Sequence, residues 1–206
     1  MKKIFVLVLV LLIFASVVTG CSQPVEESTG NKTPQSSSGS NSNPEKPDSN
    51  NLQTGQSSES LGGIRLGMEV EELDKLLGDD FTENPLEEGG YFGESVIMRH
   101  YQNGCNIVIG QTTGEVLQID VSSPEYPTEM GVKVGAPALE ALEKYREKYS
   151  EFVGNQSPDK LVGWFETEPG TLLIFSCKEN GERFNENLTE ESKIHGITLG
   201  RVKFFD

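Results

Sequence analysis

The chain has 206 residues, with 32 Asp and Glu against 17 Lys and Arg and a formal net charge of −15. That charge excludes a phosphate-tracking nucleic-acid binder, which needs clustered basic side chains to displace counterions. It excludes a polybasic membrane contact as well, and a 35% hydrophobic content leaves room for one modest core.

Residues 1–20 read as a bacterial lipoprotein signal peptide. Lys2 and Lys3 form a basic start, 4–14 is an apolar run, and Val18-Thr19-Gly20 supplies the small-residue end of a lipobox before Cys21. A spanning anchor needs about 20 apolar residues, and this run stops short of that. Cys21 is therefore the expected lipidation site and the expected first residue of the mature chain. Each buried methylene of a lipid adds about 0.8 kcal/mol, so its acyl chains would hold the protein on the extracytoplasmic face of a bacterial membrane. Residues 21–60 are rich in Ser, Asn, Gln, Gly and Pro, with too few apolar side chains to offset ordering entropy. They read as a disordered tether, and 61–206 as the folded domain.

Within the domain a glycine, aliphatic, basic, aliphatic, glycine order occurs twice, at Gly63-Ile64-Arg65-Leu66-Gly67 and at Gly131-Val132-Lys133-Val134-Gly135. A helix is expected after each. Over 69–77, Val70, Leu73 and Leu77 share a face, acids occupy the first turn, and Gly78 stops the helix. The second helix starts at Pro137, with Leu139, Leu142, Tyr145 or Arg146, and Tyr149 as its stripe and Glu140 paired to Lys144 outside.

Three strands are expected after the first helix, at 96–101, 105–109 and 115–121, with turns at Asn103-Gly104 and Thr113-Gly114. Three more follow the second, at 161–166, 171–177 and 197–205, with a polar and mobile insertion at 178–195. The expected fold is therefore α+β: two tandem helix-plus-antiparallel-meander repeats, about 61–127 and 128–206, with the helices on one face of the sheet. Cys105 and Cys177 either form a disulfide, which an exported protein can keep, or remain two buried thiols.

The Gly-aliphatic-x-aliphatic-Gly-Met opening, the short helix ending Leu76-Leu77-Gly78, the meander and the duplication resemble the SmpA/OmlA-type lipoprotein fold and the tandem β-lactamase-inhibitor-protein-like fold. The resemblance covers most of 61–206 and rests on Gly67, Met68, Leu73, Leu77 and Gly78. It implies a non-enzymatic domain that binds another protein through a sheet face. No binding residue carries over, because the matching positions belong to the scaffold.

The residues themselves signpost no reaction. His100 and His195 lack partners at zinc-ligand spacing, and Gly93-Glu94-Ser95 lacks the closing glycine of a nucleophile elbow. Asp79, Asp80, Glu83, Glu87 and Glu88 match no calcium-loop spacing and read as a solvated connection. No catalytic, metal or cofactor site is expected. Tyr91, Phe92, Tyr101 and Trp164 lie on or beside strands and are the expected binding face, since a sheet covered on one side can meet a partner with the other. Trp164 and Phe165 must point to opposite faces, so either one ring leaves the core or strand twist lets both pack.

The function expected is that of an envelope lipoprotein serving as a non-catalytic protein-binding or accessory module. An inhibitor or sensor of a cell-wall enzyme, and a small envelope hydrolase, are the alternatives.

Overall fold

The computed structural model describes residues 55–87, 89–155 and 159–205. The signal peptide, Cys21, most of the tether and Glu88 lie outside the described residues. Among those described, no helix is long and apolar enough to cross a membrane.

Eight strands form a single antiparallel sheet: β1 (Phe81–Leu86), β2 (Val96–Tyr101), β3 (Cys105–Gly110), β4 (Val116–Val121), β5 (Glu151–Val153), β6 (Lys160–Glu168), β7 (Thr171–Ser176) and β8 (Gly196–Arg201). Their order across the sheet is β1-β2-β3-β4-β8-β7-β6-β5. The helices are short, α1 at Val70–Leu77 and α2 at Ala138–Arg146.

The expected α+β fold of two helix-plus-meander repeats is thus corrected to a predominantly β fold built on one sheet. The physical reason is the junction. Val121 pairs with Ile197 and Ile119 with Leu199, so the last strands of both runs zip together and leave no separate units. Two strands were also not legible. β1 has the sequence Phe-Thr-Glu-Asn-Pro-Leu, poor in strand formers, and its Pro85 is tolerated because β1 is an edge. β5, at the other edge, has only three residues.

One main core lies under the sheet's inner face. It joins Leu73 of α1 and Ala138, Ala141, Leu142 and Tyr145 of α2 to Ile107, Ile119, Leu199, Leu173, Phe175 and Phe165. The buried side of α2 therefore runs through Ala141 and not through Leu139, which is 38% exposed. Lys144 reaches the Met130 carbonyl at 2.6 Å, not Glu140. Glu83, expected in a solvated connection, lies on β1 and binds Arg99 Nε at 2.8 Å, and Arg99 in turn lies 4.1 Å over the Phe81 ring and pairs with Asp74 of α1.

The ordered domain begins ahead of Leu61. Ser57, Glu59 and Ser60 are all buried. Glu59 Oε1 accepts from the Ser60 and Glu129 backbone N–H groups at 3.1 and 2.8 Å, and Oε2 accepts from the Tyr145 hydroxyl at 3.0 Å. Arg65 closes the same knot through Glu129 and the Ser57 carbonyl.

Cys105 and Cys177 are buried free thiols, so the disulfide alternative is not realised. Cys105 lies on β3 and Cys177 follows β7, with β4 and β8 between. Three strand spacings amount to about 14 Å, twice the reach of a disulfide. Burial pushes the Cys105 thiol up to about 12 and the Cys177 thiol up to about 11. Neither should react with a thiol reagent at neutral pH until the chain unfolds, and reductant should leave the melting temperature unchanged. Because both folded values exceed the ordinary 9.0, stability should fall as pH rises from about 9 toward about 12, where the unfolded chain ionises first.

Candidate functional site

The outer face of the sheet carries what the core excludes. Pairing registers set Thr82, His100, Asn106, Asp120, Thr198, Ile174 and Trp164 in one transverse row across it. Alternation puts these residues opposite Arg99, Ile107, Ile119, Leu199, Leu173 and Phe165 on the inner face. Asp120 is the centre of the row. Its Oδ1 accepts from the Thr198 hydroxyl at 2.6 Å and from Arg183 at 2.8 Å, and its Oδ2 accepts from Gln118 at 2.6 Å. Arg183 Nε also donates to Thr198 Oγ1 at 3.2 Å. Next along the row, a ring nitrogen of His100 lies 2.8 Å from Asn106 Oδ1.

Arg183 belongs to the segment expected as a mobile insertion, and that segment is anchored. Buried Asn185 donates to the Val162 and Phe175 carbonyls at 2.8 and 2.7 Å and accepts from the Cys177 N–H at 2.8 Å. Gly163 makes room for it: at φ +84, a Cβ there would stand 2.8 Å from the Asn185 side-chain nitrogen. Beyond Asn185 the segment packs Leu188 and Ile194 into the main core. Ahead of it, Arg183 and Phe184 remain on the outer face, where the Arg183 carbonyl accepts from Trp164 Nε1 at 2.8 Å.

Between this segment and β3, β4 and β8 lies a cleft of about 290 Å³. Asn106, Asp120, Asn180, Arg183, His195 and Thr198 contribute to its lining, as do Ser122, Ser176 and Glu179. The arrangement can accept and donate hydrogen bonds over a broad surface. Among the described residues, the histidine ring bond in this region goes to an amide and not to a hydroxyl or thiol, and no group of three or more His, Cys, Asp or Glu is placed to hold a metal ion.

The four aromatic residues expected to form a binding face do not come together. Tyr101 points inward, packs on Phe81 at 5.3 Å and is 6% exposed, and burial raises its hydroxyl pKa. Trp164 does lie on the outer face while Phe165 enters the core, yet Trp164 is also buried, stacked under Phe184 at 5.4 Å and edged by Phe205 at 5.9 Å. With Leu172 and Ile174 it forms a second, small core. Phe205 covers Gly200, where a Cβ would meet its ring at 2.7 Å. Phe92 packs on Phe204 at 4.7 Å, and Tyr91 alone of the four is open, at 84%.

Asp120 and Arg183 escaped sequence reasoning. A local signal for Asp120 existed, because Gln118 and Asp120 alternate with buried Ile119 and Val121, and aspartate is rare within strands. Arg183 had none, since only the return of its segment across the sheet brings it to Asp120.

No protein family matches the chain, and no curated protein does. Among solved structures, the uncharacterized protein yfeY from Escherichia coli is similar, with a TM-score of 0.41 and 18% identity over 68% of this chain and 95% of that one. No residue or role is carried over from it.

Proposed function

We propose that this protein is a bacterial envelope lipoprotein, anchored through Cys21, whose β domain is a non-catalytic protein-binding or accessory module. The address rests on the signal-like 1–20 segment and the cysteine that follows it. The recognition role rests chiefly on one observation. On the outer face of β1 and β2, Leu86 is 45% exposed beside half-buried Met98, with half-buried His100 further along, and Tyr91, in the turn that joins the two strands, is 84% exposed. The main core cannot reach these side chains, because alternation directs Leu86, Met98 and His100 away from it. An exposed apolar strip bordered by polar groups such as Thr82 and Asn84 is the surface chemistry of a protein contact.

The test uses the full-length chain in a bacterial host. Cys21→Ser should move the protein from the membrane fraction to the soluble one. A photo-crosslinker placed at Tyr91 or His100 should give the same discrete adduct, and one at Leu139, on the helix side, should not. Membrane retention of Cys21→Ser defeats the anchor. Adducts indifferent to position, or none, defeat the docking face.

A further inference from the structure

The cleft around Asp120 lies on the same sheet face but uses residues separate from the Tyr91 strip, and its chemistry goes beyond a protein contact. Asp120 and Arg183 bind each other at 2.8 Å, so the fixed charges at its centre compensate. An anionic guest would face Asp120 and Glu179 within a chain of net charge −15. A cationic guest would meet Arg183, with Asp120 already accepting three hydrogen bonds, which leaves Glu179 alone to attract it. An apolar guest would strip water from amides, hydroxyls and a guanidinium and return nothing.

A neutral ligand dense in hydroxyl groups meets none of these costs. Arg183 has five N–H donors and, among the described residues, commits one from Nε and one from a terminal nitrogen, which leaves three to donate. Asn106 and Asn180 add planar amides, and Ser122 and Ser176 add hydroxyls. The residue after Arg183 is Phe184, 58% exposed and held flat on Trp164 with 26° between the rings. Phe184 itself stands outside the cleft lining, so hydroxyl groups are what the cleft can hold. About 290 Å³ is at the low end of small-molecule sites, the size of a short guest and not of a large cofactor.

We propose that this cleft binds a neutral carbohydrate, with Arg183, Asn106 and Asn180 holding its hydroxyls. The protein has one tryptophan, and the Trp164 indole N–H bonds the Arg183 carbonyl, so its NMR signal reports on the cleft. Tetra-N-acetylchitotetraose, cellotetraose and maltotetraose are titrated separately into the full chain while the Trp164 indole and the Asn106 and Asn180 amide signals are followed.

At least one sugar should produce saturable shifts in all three signals. Asn180→Ala, at an exposed position, should weaken it at least about tenfold, the scale of one lost contact of about 1.4 kcal/mol. The proposal is overturned by absence of shifts with every sugar up to about 10 mM, past a millimolar Kd. It is overturned equally if sodium acetate or lysine amide shifts these signals and the sugars do not. Tyr91→Ala should leave the titration unchanged, which separates failure of this site from failure of the docking strip.

Discussion

Glu59→Ala should lower the unfolding free energy by about 3 kcal/mol, read as a shift of the urea midpoint at unchanged slope. Glu59 is 3% exposed and accepts three hydrogen bonds, from the Tyr145 hydroxyl and two backbone N–H groups. Alanine removes the acceptor and strands all three donors, each at a cost of about 1–3 kcal/mol that relaxation and entering water partly offset. Burial, and then the negative Glu59 beside it, raises the Tyr145 hydroxyl above its ordinary range, so the phenol stays a donor at every physiological pH. Glu59→Gln keeps an acceptor in place and should cost less. A chain truncated to begin at Leu61 should lose at least as much as Glu59→Ala, because Ser57 leaves too, and with it the hydrogen bonds between Ser57 and Leu66 at 2.9 and 3.0 Å. A midpoint unmoved in both variants would mean that the domain begins at Leu61 after all.

Asn185→Ala is the second large effect. Its amide ties three backbone groups that belong to different elements: the Val162 carbonyl on β6, the Phe175 carbonyl on β7 and the Cys177 N–H beyond it. The orphaned Cys177 N–H is the costly one, because a carbonyl with a second lone pair tolerates a missing partner better. The expected loss is about 2–4 kcal/mol. The change should also reach the sheet face, since Asn185 holds the segment whose Arg183 and Phe184 cover Trp164. Emission from this single tryptophan should shift to the red and become more accessible to acrylamide in the folded protein. Gly163→Ala offers an independent approach to the same joint, because the added Cβ collides with the Asn185 side-chain nitrogen at 2.8 Å and must adopt φ +84. If Asn185→Ala left both the midpoint and the emission unchanged, the segment would not be anchored in this way.

Elements whose pattern is decided within one strand or helix are legible in the sequence. Val96–Tyr101 was expected and found with the same ends, and α1 with Gly78 as its stop within a residue. The readings that failed required knowledge of neighbours. On α2 the expected stripe holds at Leu142, Tyr145 and Tyr149 and fails at Leu139, because the helix turns Ala138 and Ala141 inward, where close packing against the sheet favours small side chains. Strict alternation with Ile119 and Val121 would bury Leu117, but a bulge between Val108 and Ile109 brings Val116 into the core instead. Tyr101 and Trp164 were grouped by their aromatic character, and strand parity sends them to opposite faces.

The sequence by itself determined the acidic character, the signal-like start and Cys21, six of the strand positions in outline, and both helices, because each depends on composition or on a period of two or about four residues. The tertiary structure alone decided that the strands make one sheet, since the pairing of β4 with β8 joins residues some eighty positions apart. It alone brought Arg183 to Asp120, 63 residues away, and Tyr145 to Glu59, 86 residues away. A hydrogen bond between distant residues leaves no periodic trace in a chain, whereas burial along one element does.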